Sequence, residues 1–92
     1  MSPAARNDLR DIVTYYQQRQ TGLDRRFLAA LVDTLGIVVE RPASFPEVFA
    51  NVRRARLNRF PYGIFFQISN STIHVIAVMH LHRDPRAWQR RI

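Results

Sequence analysis

Apolar residues recur at helical spacing from the start of the chain. Ala5, Leu9, Ile12, Val13 and Tyr16 fall on one side of a wheel, while Asn7, Asp8, Arg10, Asp11, Thr14 and Gln17 lie elsewhere. Ser2 ahead of Pro3 supplies an N-cap and a first helical position, so the pattern predicts an amphipathic helix over Pro3 to Gln18. Gln20-Thr21-Gly22 ends it. A second helix is predicted over Leu23 to Val39, with Leu23, Phe27, Leu28, Ala30, Leu31, Val32, Leu35 and Val38 as a stripe wide enough to be buried on two sides. Gly36 weakens its last turns, and the short connection makes the pair an antiparallel hairpin.

Beyond the helices the period changes. Arg41 to Phe49, with Pro42 and Pro46, reads as a loop crossing to a sheet. Val52–Leu57, Phe60–Ile68 and Thr72 to His80 or Leu81 read as three strands. The second puts Tyr62, Ile64, Phe66 and Ile68 on one face and Phe65 and Gln67 on the other. Asn58-Arg59 forms a tight link and Ser69-Asn70-Ser71 a polar turn, so the strands make an antiparallel meander with apolar residues on both faces. Asp84-Pro85 opens a short terminal helix bearing Arg86, Trp88, Arg90, Arg91 and Ile92, in which Trp88 and Ile92 form an apolar stripe. The expected fold class is α+β: a helical hairpin packed on one face of the meander, followed by a short C-terminal helix.

Composition narrows the class. Ninety-two residues make one domain, 1–92, and 47% hydrophobic with 23% charged residues is a globular balance. With no cysteine there is neither a disulfide framework nor a thiolate zinc site. The longest apolar run, Val75 to Met79, is far too short to span a membrane, and the polar start does not read as a secretory signal, so a cytoplasmic location is expected.

Charge points to a partner. All fourteen basic residues are Arg, set against seven acidic ones for a net +7, which suits a polyanion: nucleic acid or an acidic protein segment. Arg53, Arg54, Arg56 and Arg59 stand on the first clear strand and its turn. Arg83, Arg86, Arg90 and Arg91 gather near the C-terminus. In a meander the end of the third strand returns beside the start of the second, so the two groups are expected to converge on an anion-binding surface; a solvated basic face is the alternative. His74, His80 and His82 share strand parity, and His80-x-His82 could supply an acid and a base. No third metal ligand is evident beyond Asp84, which the helix cap claims, so no metal and no cofactor are expected. The simplest role for His80 or His82 is to anchor the strand end against the last helix. Tyr62 and Trp88 could stack on bases or close a core. Asp8, Asp11, Asp24 and Asp33 read as solvated helix charges, and there is no Gly-rich phosphate loop or nucleophile motif.

The residues also carry a resemblance. Phe60-Pro61-Tyr62-Gly63-Ile64-Phe65-Phe66, the strand from Ile73 to His80 and the ending His82-Arg83-Asp84-Pro85-Arg86-Ala87-Trp88-Gln89-Arg90-Arg91 resemble the C-terminal half of the RelE/ParE toxin superfamily. The N-terminal half agrees at Ala5, Asp8-Leu9, Ile12, Tyr15-Tyr16, Gly22-Leu23, Arg26-Phe27-Leu28, Leu35, Pro42 and Phe45-Pro46. The resemblance implies the toxin of a bacterial type II toxin–antitoxin module: a growth inhibitor silenced, in a hetero-oligomer, by a cognate antitoxin whose acidic C-terminal segment wraps the hairpin and sheet. Superfamily members usually begin with a strand before the first helix. Here only Met1-Ser2 stand there, so either the start is truncated or the sheet lacks that strand and leaves an edge open to a partner. The Arg-Asp-Pro-x-x-Trp ending and the lack of Lys look ParE-like, which implies binding of DNA gyrase through Arg53, Arg54, Arg56, Arg59, Arg83, Arg86, Trp88, Arg90 and Arg91. The RelE-like alternative is ribosome-dependent mRNA cleavage. There His80, Arg83 and Arg59, with His82 or Tyr62, would act on the 2′-hydroxyl and the phosphorane. An inactive antitoxin-binding partner is the third reading.

Overall fold

A computed structural model describes residues 1–92. The first helix, α1 (Pro3–Gln17), starts as the sequence requires: Ser2 is extended, and its Oγ accepts the Ala5 N–H at 3.1 Å. Gly22, at φ 85°, turns the chain into α2 (Leu23–Glu40). A single 3-10 turn at Pro42–Ser44 leads to a four-stranded antiparallel sheet: β1 (Glu47–Phe49), β2 (Val52–Arg56), β3 (Tyr62–Ser69) and β4 (Thr72–His80), in spatial order β1-β2-β3-β4. One turn of helix, α3 (Arg86–Gln89), follows.

The α+β architecture stands as read from the sequence, with three local corrections. The segment expected to be loop up to Phe49 contains β1, joined to β2 by a turn in which Ala50 and Asn51 both take positive φ. That geometry suits a two-residue hairpin, but it was not legible because neither position is Gly. The link between β2 and β3 runs from Leu57 to Pro61, closed by the Leu57 N–H donating to the Tyr62 carbonyl at 2.9 Å. Phe60 is therefore not a strand residue; it packs its ring edge-on against Tyr16 and Phe27. Finally, α2 is buried on one side only, through Phe27, Leu31, Thr34 and Val38, while Leu28 and Val32 are exposed.

Apolar residues on both faces of the sheet build two cores. On the inner face Ile64, Phe66, Val75 and Val78 pack with Ile12, Tyr16, Phe27, Leu31 and Val38 of the hairpin. On the outer face Val52, Phe65, Ile76, Ala77 and Met79 pack with Trp88, whose indole stacks on Phe65 at 4.7 Å and meets Phe49 edge-on. That contact fixes α3 on the outer face. Ile92 stays half exposed and shares no stripe with Trp88.

The register of β4 carries the most consequential departure. Phe65 pairs with Ala77 and Phe66 with Val75, so Ile76 is an extra residue, a β-bulge. The bulge puts Ile76 and Ala77 in the outer core one after the other, with Val75 and Val78 in the inner core on either side. Strand parity is reversed across it. His74, opposite Gln67, therefore does not share a face with His80, opposite Tyr62.

Candidate functional site

The bulge also decides what happens at the free edge of β4. The Ser2 N–H donates to the Val75 carbonyl at 2.9 Å, and the Ser2 hydroxyl and Arg91 Nη1 both donate to the Ile76 carbonyl, at 3.4 and 2.9 Å. The Val78 N–H donates to Asp8 Oδ2 at 3.0 Å, and Arg91 grips both Asp8 oxygens at 2.6 and 2.9 Å. The edge expected to lie open to a partner strand is thus occupied at its middle by the chain itself. Asp8, expected to be a solvated helix charge, is 11% exposed at its side chain. Its carboxylate raises the Arg91 pKa further above the ordinary guanidinium value.

The arginines expected to form one surface take several roles. Arg91 belongs to this clasp. Arg53, opposite Phe66, lies on the inner face; its guanidinium donates to the Phe45 carbonyl at 2.6 Å and the Ala43 carbonyl at 3.3 Å and pairs with Glu47 at 3.3 Å. It straps the proline-rich crossing to the sheet. Trp88 is 5% exposed and held in the outer core, which leaves it no face for docking or base stacking. Arg59, at φ 70°, lines a groove of about 730 Å³ beside α2 with Arg26 and Asp33.

Four arginines share the outer side of the sheet. Arg54 and Arg56 lie opposite Phe65 and Gly63, hence on the α3 side. The stem of Arg54 crosses Gly63: a Cβ there would stand 3.3 Å from Arg54 Cγ and 3.0 Å from Leu81 Cδ2, so only glycine lets the two side chains lie over the strand. Arg54 Nε is buried without a hydrogen-bond acceptor, and neither Arg54 nor Arg56 forms an ion pair. On α3, Arg86 donates to Asp84 at 2.6 to 3.2 Å and holds that carboxyl below its usual range, while Arg90 donates to the Arg86 carbonyl. Asp84 Oδ1 also accepts the Arg86 N–H, the capping role its position predicts.

The residues of a cleavage site are only partly together. His80 and Arg83 line a cleft of about 250 Å³ against α1, with Asp8, Asp11, Tyr15 and Tyr62. The strand ends do return as expected, Tyr62 opposite His80 with the rings edge-on at 5.3 Å. Arg59, three residues before Tyr62, lines the other groove instead. His80 Nδ1 accepts the His82 N–H at 3.1 Å, so the imidazole pins the turn after β4 and not the terminal helix. That bond occupies Nδ1 and leaves Nε2 as the free nitrogen of the ring. No three His, Asp or Glu side chains stand close enough to hold a metal ion. No helix is long and apolar enough to cross a membrane.

The charge is divided along the chain. Residues 1–40 hold five Arg against five acidic residues; residues 41–92 hold nine Arg against two, which is the whole of the +7. Apart from α1 and α2, every element lies in that second part.

Compared with known proteins, residues 1–85 match the family described as the ParE toxin of type II toxin-antitoxin system, parDE. The matched segment takes in both helices and all four strands and stops just before α3. No curated relative matches the chain.

Proposed function

The chain belongs to the ParE toxin family of type II toxin–antitoxin systems, and from that membership we propose that it inhibits growth by docking its basic outer sheet face on DNA gyrase, with no bond made or broken. A toxin of this family has a cognate antitoxin; in this reading its acidic segment competes for the same guanidinium groups and silences the toxin within a hetero-oligomer.

One observation carries the reading: the net charge sits in the sheet half, where Arg54 and Arg56 have no internal counter-ion. A guanidinium left without a partner, with one nitrogen already out of water, gains more from an arriving carboxylate or phosphate than a fully hydrated one. Arg86 and Arg90 extend the same side. The nuclease alternative draws on His80 and Arg83 in their cleft, but His80 Nδ1 is taken by the His82 N–H and Arg59 lines another groove.

Induction of the chain without antitoxin tests this. Altered plasmid supercoiling and DNA damage are expected, and Arg54→Glu with Arg56→Glu is expected to abolish both while His80→Ala leaves them. Codon-phased mRNA ends that vanish in His80→Ala would establish the nuclease instead. Neither effect, with antitoxin binding intact, would make the chain an inactive antitoxin partner.

A further inference from the structure

The sheet half of the molecule holds more cations than it can neutralise. Its only carboxylates, Glu47 and Asp84, are each engaged by a neighbouring guanidinium, Arg53 at 3.3 Å and Arg86 at 2.6 Å. The third ion pair, Arg91 with Asp8, draws its carboxylate from α1. Arg54, Arg56 and Arg90 are left without an acidic partner, all on the outer side of the sheet.

Two properties of this side select among polyanions. It is rigid: Arg54 and Arg56 lie two residues apart on β2, about 6.6 Å, and the Arg54 stem is seated over Gly63 beside Leu81. Arg90 is fixed through Nε on the Arg86 carbonyl at 3.1 Å. It also lacks the apolar anchors that hold a protein partner. Trp88 and Phe65 are buried against each other, and of the aromatics here only Phe49, at the β1 edge, is open. A fixed array of guanidinium forks suits a stiff, densely charged partner. Duplex DNA carries one charge per about 1.7 Å of axis and is straight over the width of this domain, whereas an acidic peptide must be ordered as it binds.

We propose that the outer face grips the phosphate backbone of double-stranded DNA, through Arg54, Arg56 and Arg90, without reading its sequence. α3 is a single turn, too short to lie in a groove and reach base edges. The inference rests on the gyrase reading and deepens it: what the basic face meets on the enzyme is the duplex that the enzyme holds.

Fluorescence anisotropy with a labelled 20-base-pair duplex and the purified chain, without gyrase, reads this directly. Three phosphate contacts predict a slope of log K against log salt of about −2.7, so that affinity falls about fortyfold between 50 and 200 mM salt. Duplexes of different sequence should bind alike. Arg56→Gln and Arg90→Gln, both at exposed positions, should each flatten the slope by about 0.9 with an unchanged circular dichroism spectrum. Arg25→Gln removes the same charge from the hairpin and should leave the slope as it is. The proposal is overturned by a chain that does not bind the duplex at 50 mM salt, by a slope that Arg56→Gln and Arg90→Gln leave intact, or by one that Arg25→Gln flattens equally. Tighter binding of a single-stranded RNA or a poly-glutamate peptide of equal length also overturns it. Supercoiling inhibition that needs Arg54 and Arg56, in a chain with no affinity for the duplex, removes this inference and keeps the gyrase reading. Duplex binding with the predicted slopes and no effect on supercoiling removes that reading and keeps the phosphate grip.

Discussion

Replacing Asp8 by alanine removes an acceptor and a charge at once. The Val78 N–H loses its partner at 3.0 Å, and the Arg91 guanidinium loses two bonds at 2.6 and 2.9 Å. Breaking a fully buried ion pair costs about 3–5 kcal/mol, because the surviving charge stays desolvated. Here the Arg91 side chain is 24% exposed and keeps some water, which lowers the figure to about 2–3 kcal/mol with the stranded N–H included. For a domain of this length that is a fall in melting temperature of roughly 8–24 °C. Arg91→Ala costs less, about 1–2 kcal/mol, since Asp8 still accepts from Val78. Urea or thermal unfolding of both single variants and the double variant gives a coupling energy of about 1–2 kcal/mol, little changed by salt because the pair is mostly buried. A loss below about 0.5 kcal/mol for Asp8→Ala, or single effects that merely add, would show that the clasp does not hold the edge.

Two further perturbations test the cores. Burial, followed by the nearby Tyr62, pushes the Tyr16 phenol from 10.0 up to about 12. Because the folded value is raised, the associated stability is complete below pH 10 and is lost as pH climbs through 12. Urea unfolding between these values should reveal a loss of about 2–3 kcal/mol that Tyr16→Phe does not show, and a flat profile in the wild-type chain would contradict the assignment. Gly63→Ala would press a methyl group against Leu81 and Arg54, at 3.0 and 3.3 Å. A destabilisation of about 1 kcal/mol or more is expected by chemical unfolding, with partial rescue by Leu81→Ala; no loss, or no rescue, would mean that the side chains move aside freely.

The helices were legible because each device acts locally. Ser2 and Pro3 announce the start of α1, and the apolar recurrence sets its buried face. What escaped depends on partners distant in sequence or on backbone geometry without a residue signature. The run Val75 to Met79 is apolar throughout, so no alternation marks the extra residue at Ile76, and the shared parity of the histidines fails with it. Asp8 looks like any solvated helix aspartate until Arg91, 83 positions later, is placed beside it. The exposed flank of α2 was misjudged for the opposite reason: hydrophobic periodicity tells which residues favour burial, while only the packing tells whether a second surface is there to cover them. The basic residues were legible as a set. Which of them are occupied internally, as Arg53 and Arg91 are, is a property of distances alone.

A molecule whose charge is concentrated in one half is an oriented dipole in solution. Drawn by an anionic surface, it turns before it touches, so encounters are fast at low ionic strength and begin with the same side forward. The hairpin then trails, pointing back into solvent, and whatever occupies it can arrive or leave without disturbing the grip at the front.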